Sequence, residues 1–149
     1  MVALLQRVES AYVEVEGTRI AAIGGGLLAF IGVERQDTDK TARRLAERVT
    51  GYRIFPDAAG RMNLGLDDAG GQLLAVPQFT LAADTRKGMR PSFTPAASPA
   101  AGERLFQGFC AACRDLGVAP ASGRFGADMR VGLVNDGPVT FWLQVGEPS

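Results

Sequence analysis

The chain has 149 residues, 46% of them hydrophobic and 21% charged, an ordinary composition that lets one domain bury a real core. Sixteen Lys and Arg balance sixteen Asp and Glu, so any phosphate-bearing partner must be met by a local basic patch and not by a global positive field. Two cysteines are too few for a disulfide framework, and the absence of histidine removes the commonest general base at neutral pH.

The first third of the chain alternates apolar and polar residues. Ala11, Val13 and Val15 fall on one face, Glu16-Gly17-Thr18 predicts a turn, and Ile20 and Ala22 resume the pattern. Gly24-Gly25-Gly26 reads as a hairpin turn rather than a dinucleotide-binding loop, because the run that follows is strand-like and not helical. That run, Leu27 to Val33, is continuously apolar and suits a strand buried on both faces.

From Asp37 the period changes. Ala42, Leu45, Ala46 and Val49 follow helical spacing, with Asp37 or Thr38 as N-cap. Arg53-Ile54-Phe55 and the turn Asp57-Ala58-Ala59-Gly60 come next, and Leu73-Leu74-Ala75-Val76 leads as a strand into Pro77-Gln78-Phe79-Thr80-Leu81. Proline removes a ladder donor, so a central strand should not continue through Pro77 without an edge or a bulge. Residues 82–100 read as a loop.

A second helix follows, with Leu105, Phe109, Ala112 and Leu116 on one face and Gly117 ending it. Met129, Val131 and Leu133 then alternate, Gly137-Pro138 predicts a turn, and Val139 to Val145 form the last strand. No repeat or linker divides the chain, so residues 1–149 are expected to form one α+β domain, mostly antiparallel or mixed sheet curled into a barrel-like core, with two main helices. No apolar run reaches the roughly 18 residues of a membrane span. Charge at Arg7 comes too early for a signal peptide, and a cytoplasmic location is expected.

Several segments could carry chemistry. Cys110 and Cys113 form C-x-x-C, a redox spacing, but both lie inside the second helix instead of ahead of its N-terminus, which favours packed thiols. Nothing completes a tetrahedral zinc site around them. Arg86-Lys87-Gly88-Met89-Arg90 is a basic loop suited to solvent or to phosphate. Gln78 offers donors and acceptors at the break that Pro77 makes, and Thr80 offers a hydroxyl. Gly137 would let the backbone come close to a ligand.

Taken together, these segments resemble the D-aminoacyl-tRNA deacylases over nearly the whole chain. The family's words stand here as Gln6-Arg7-Val8, Arg53-Ile54-Phe55, Met62-Asn63-Leu64, Gln78-Phe79-Thr80-Leu81 with the loop Ala83 to Gly88, Arg124 to Met129, and Asn135-Asp136-Gly137-Pro138-Val139-Thr140. One position departs: Pro77 stands where the family usually has serine, so no hydroxyl is available there.

The resemblance implies a homodimer that hydrolyses the ester of D-aminoacyl-tRNA, and of glycyl-tRNA mischarged on tRNA-Ala, with help from the substrate's 2′-OH. It implies catalysis at Gln78, Phe79 and Thr80 through backbone N–H groups. Gly137 and a cis Pro138, with Arg7 and Met129, would bind substrate and select chirality. Arg86 and Lys87 would contact tRNA. Neither a cofactor nor a metal is implied, and neither membrane nor DNA is an expected partner. A non-catalytic protein that binds the tRNA 3′ end is the alternative.

Overall fold

The alternating run that opens the chain becomes one strand of 14 residues, β1 (Val2–Val15), with which three other strands pair. This computed structural model describes residues 1–146. Glu16 (φ 50°) and Gly17 (φ 77°) are both left-handed, the geometry of a two-residue hairpin turn, and return the chain into β2 (Thr18–Ile23).

At the three glycines the structure departs from the expected hairpin. The chain does not reverse there. β2 and β3 (Gly26–Gly32) both run antiparallel to β1 and keep the same register across the glycines, Ala11 opposite Ile23 and Val8 opposite Gly26. Gly24 and Gly25 form a bend between them. The glycines are needed for close approach instead: Gln72 N donates to Gly25 O at 3.1 Å, Gly24 N donates to Gln72 Oε1 at 2.7 Å, and a Cβ on Gly26 would collide with the Gln72 backbone.

Helix α1 (Asp39–Gly51) begins at Thr38, whose hydroxyl accepts from Thr41 N while Thr41 Oγ1 accepts from Thr38 N, a reciprocal cap. The strand pair β4 (Phe55–Pro56) and β5 (Met62–Leu64) and a one-turn helix α2 (Leu66–Ala69) follow. β6 (Gln72–Pro77) lies parallel to β3, and the two-residue β7 (Ala121–Ser122) lies parallel to β6. Helix α3 (Pro99–Asp115) starts inside the segment expected to be loop, with Ser98 as N-cap, and Gly117 (φ 88°) follows its end. Its buried face is Leu105, Phe106, Phe109, Cys110 and Cys113, whereas Leu116 is exposed. The last strand, β8 (Arg130–Gln144), pairs antiparallel with β1 along nearly its full length.

The result is a mixed sheet nearly closed into a barrel, with three helices in one domain, as the sequence pattern indicates for fold class. The apolar run of β3 is divided by the strand period. Leu27, Ala29 and Ile31 pack under α1 and α3, while Leu28 joins Val8, Val13, Leu74 and Val76 on the other face. Among the described residues no helix is long and apolar enough to cross a membrane.

Gly26→Ala therefore tests whether that glycine permits backbone contact and not a turn. Overpacking β6 should cost about 1–3 kcal/mol of unfolding free energy, read as a lower denaturant midpoint at constant slope. An unchanged midpoint would contradict the packing described.

Candidate active site

β6 stops at Pro77 for a visible reason. Its neighbour β7 reaches only the pair Ala75–Ser122, so the missing N–H of Pro77 faces no ladder partner, while Gln78 N donates to Ile31 O at 2.8 Å on the β3 side. The chain then tightens into a single 3-10 turn, Phe79–Ala82, in keeping with a strand that does not continue through Pro77. Its first internal bonds are Leu81 N to Gln78 O (3.2 Å) and Ala83 N to Thr80 O (3.2 Å). The N–H groups of Phe79 and Thr80 come before Leu81 N, the first donor of the turn, and no side-chain hydrogen bond caps it among the described residues. Gln78 Nε2 donates to Thr80 Oγ1 at 2.5 Å, so that lone pair is occupied and the hydroxyl hydrogen is left to donate elsewhere.

Beside this turn lies a cavity of about 500 Å³ at the carboxyl ends of the parallel strands β3 and β6. Pro77, Gln78 and Phe79 form one wall. Ser98, Pro99 and Gly102 at the start of α3 form the second, with Phe106 behind, and Phe125 to Met129 form the third. A Cβ on Gly102 would come within 3.3 Å of the Phe125 ring, so the glycine lets the ring pack closely on α3. Phe79 contributes to the cavity wall yet is 58% exposed, its ring tilted against Phe93 at 5.3 Å between centroids.

Arg7, Gly137 and Pro138 are placed elsewhere. The sequence pattern made Gly137-Pro138 a turn between two strands, but β8 runs through it as a single strand whose pairing is interrupted. Val8 faces Asn135 and Gln6 faces Thr140, so residues 136–139 bulge opposite the single residue Arg7. The Gly137-Pro138 bond within the bulge is cis. Arg7 holds the bulge from below, with Nε 2.9 Å from Asp136 Oδ2 as an ion pair whose N–H is not aimed for a hydrogen bond, and with Nη1 donating to Ile54 O at 2.7 Å.

Asn135 closes the base of the bulge, donating from Nδ2 to Arg7 O (2.9 Å) and Val139 O (3.2 Å). The sequence pattern did not single out Asn135 as a clamp, nor the carbonyl of Ile54 as an acceptor. The available signal was the place of Asn135 at the head of the word Asn135 to Thr140. Arg7 pairs with Leu27 of β3, whereas the cavity meets β3 at Ile31, four residues or about 13 Å along the strand. One chain thus brings Gln78, Phe79, Thr80 and Met129 together and leaves Arg7, Gly137 and Pro138 apart from them.

The basic loop divides its charge. Arg86 Nε and Nη2 grip the two carboxylate oxygens of Asp84 at 2.9 and 2.7 Å, and Arg86 N also donates to Asp84 Oδ1. Hydrogen bonds from Arg86 hold the Asp84 carboxyl well below the usual carboxylate range. Lys87 and Arg90 have no ion pair among the described residues.

The two thiols are buried and unpaired, and loss of solvation pushes Cys110 up to about 11 and Cys113 up to about 12. They are inert protonated groups at neutral pH, which argues against thiol redox chemistry. Among the described residues no group of three His, Cys, Asp or Glu side chains could hold a metal ion.

Residues 4–144 match the family model described as D-Tyr-tRNA(Tyr) deacylase. A D-aminoacyl-tRNA deacylase of Alkalilimnicola ehrlichii is 61% identical over 144 residues, 97% of this chain and 96% of the relative. That of Thioalkalivibrio sulfidiphilus is 61% identical over 148 residues, 99% of each chain. Among solved structures, the c-Myc DNA unwinding element binding protein superposes with a TM-score of 0.93 at 33% identity, over 99% of this chain and 100% of that one.

The buried thiols give a test that does not depend on family. Alkylation by iodoacetamide at pH 8 should be slow in the folded protein and fast after denaturation. Folding holds both thiol protons to higher pH than the usual 9.0. Their contribution to stability is therefore complete below about pH 8.5 and is lost as pH rises through 11 to 12. Rapid stoichiometric labelling of native protein would contradict the burial.

Proposed function

The chain belongs to the D-Tyr-tRNA(Tyr) deacylase family, and from that premise we propose that it hydrolyses the ester joining a D-amino acid to the 3′-terminal ribose of tRNA. The observation that carries this reading beyond family membership is the turn at Gln78–Thr80, with two N–H donors that have no partner among the described residues, beside a cavity sized for a nucleoside.

In the proposed reaction, water attacks the ester carbonyl carbon and the developing oxyanion is held by the N–H groups of Phe79 and Thr80. Loss of one such donor generally costs about 10²–10³ in rate. The bond to the ribose 3′-oxygen then breaks. The proton lost by water passes through the neighbouring 2′-OH to that oxygen, so no histidine is required. Thr80 is a hydrogen-bond donor in this scheme and not a nucleophile, since Gln78 offers its hydroxyl an amide N–H and no base.

Chirality is selected in this reading by the carbonyls of Gly137 and Pro138, which accept from the substrate's α-ammonium group and leave no room for an L side chain. A D side chain points outward. Glycine has none, which extends the activity to glycyl-tRNA mischarged on tRNA-Ala. Because Gly137 lies about 13 Å along the strand direction from the cavity of its own chain, a second copy must deliver the motif, and the active species is a homodimer. Arg7 acts through the bulge as a positioning residue. Met129 walls the cavity, and Arg86 and Lys87 face the tRNA backbone, with Arg86 shared with Asp84.

Deacylation of D-, L- and glycyl-tRNA tests the reading. The D and glycyl esters should be cleaved at least about tenfold faster than the L ester. Gly137→Ala places a Cβ against Asn135 Oδ1 and should lower kcat/KM sharply with the far-UV spectrum unchanged, while Thr80→Ala should keep measurable turnover. Equal cleavage of L and D esters would refute stereoselective hydrolysis, and binding of tRNA with no turnover would favour a non-catalytic role at the 3′ end.

A further inference from the structure

We infer that the exposed ring pair of Phe79 and Phe93, with Lys87 and Arg90 beside it, is a platform for the single-stranded 3′ end of tRNA, on the 5′ side of the terminal nucleotide. This rests on the deacylase reading for the identity of the RNA. The surface itself is built from four observations.

First, large rings are seldom left in water without use: Phe79 is 58% and Phe93 44% exposed, and the two rings are tilted against each other at 51°. Second, the pair is held rigidly. Phe79 stands on the 3-10 turn, and the segment after Phe93 is fixed to the end of β3 by Arg35 N to Pro95 O and Ala97 N to Val33 O, each 3.0 Å. Third, the neighbouring charge has one sign. Asp84 and Ser92 exchange backbone hydrogen bonds of 2.7 and 3.0 Å, closing a loop that ends directly before Phe93. Asp84, the sole acidic residue from 84 to 97, is taken up by Arg86. Lys87 and Arg90 are left as the cations of that loop with no ion pair among the described residues. Fourth, Phe79 also walls the cavity, so a strand whose last nucleoside enters the cavity passes over this surface.

Exposed aromatic rings with unpaired cations are the chemistry of single-stranded nucleic acid, where bases stack on rings and phosphates meet Lys and Arg. An acidic peptide would satisfy the cations but leave the rings unused. The occupant that uses both is the unpaired nucleotides preceding the aminoacylated end.

Binding of a fluorescent RNA oligonucleotide ending in CCA, followed by anisotropy, tests this without requiring turnover. Phe93→Ala should weaken binding about tenfold, the scale of losing one stacked base, and Phe93→Tyr should restore it. Lys87→Ala and Arg90→Ala should each lower the salt slope of log K by about 0.7. Three results would overturn the inference: unchanged affinity in Phe93→Ala, equal loss in Phe93→Ala and Phe93→Tyr, or dissociation of dimers by Phe93→Ala, which would assign the rings to chain contact. Oligonucleotide binding with no D-ester hydrolysis by the wild-type protein would instead sink the deacylase reading and leave the platform standing.

Discussion

Two long antiparallel strands, β1 and β8, must pair over almost their whole lengths although their residues do not match in number. Gln6 faces Thr140 and Val8 faces Asn135, so Arg7 alone stands opposite residues 136–139. The surplus cannot be absorbed within a flat ladder and is pushed out as a bulge. What prevents it from collapsing is polar: Asn135 bonds the backbone on both sides of the mismatch, and Arg7 supports it through Asp136 and the Ile54 carbonyl. Arg7 is only 14% exposed along its side chain but Asp136 is 48% exposed, so solvent screens the ion pair while the hydrogen bond to Ile54 O lies on the less exposed side of the contact. A backbone edge held out in this way can meet a ligand with carbonyls instead of side chains, which suits a task defined by the shape around a single α-carbon.

The cavity follows from a different constraint. β3 and β6 run parallel, so their carboxyl ends open on the same side, and β7 is too short to cover the end of β6. Proline at position 77 ends that strand, and the Phe79 and Thr80 N–H groups of the tight turn after it have no backbone partner among the described residues. Fixed backbone dipoles need no reorganisation as charge develops on a reacting oxygen, which is why the proposed mechanism can assign them an activated ester in a chain without histidine. Proline in place of the family's usual serine is then compatible with a mechanism that draws on the turn's backbone.

Much of this was legible in the residues. Period-2 alternation located β1 and the last strand, period-3.6 spacing located α1 and α3, and the ordered words from Gln6 to Thr140 carried the family. The misreadings have identifiable causes. Gly24-Gly25-Gly26 resembles a turn because composition cannot distinguish a glycine that reverses the chain from one that admits the Gln72 backbone. Gly137-Pro138 reads as a turn because a four-against-one bulge depends on the register with β1, which is a long-range property. The start of α3 was hidden because Ser98 and Pro99, a cap and a first-turn proline, are also loop residues. The separation of Gly137 from the cavity was illegible altogether, since it depends on where Arg7 and Ile31 fall along neighbouring strands.

The claim on which the account depends most is that a working site needs the cavity of one chain and the Gly137-Pro138 bulge of another. Complementation tests it directly. Phe79→Pro removes one N–H at a helix position that tolerates proline, and Gly137→Ala disturbs the bulge, so each variant alone should be nearly inactive on D-aminoacyl-tRNA. Unfolded together and refolded, they should form mixed dimers, each with one intact site. Random assortment would restore about one quarter of wild-type activity. Mixed dimers verified by mass that show no recovery would contradict a site built across two chains.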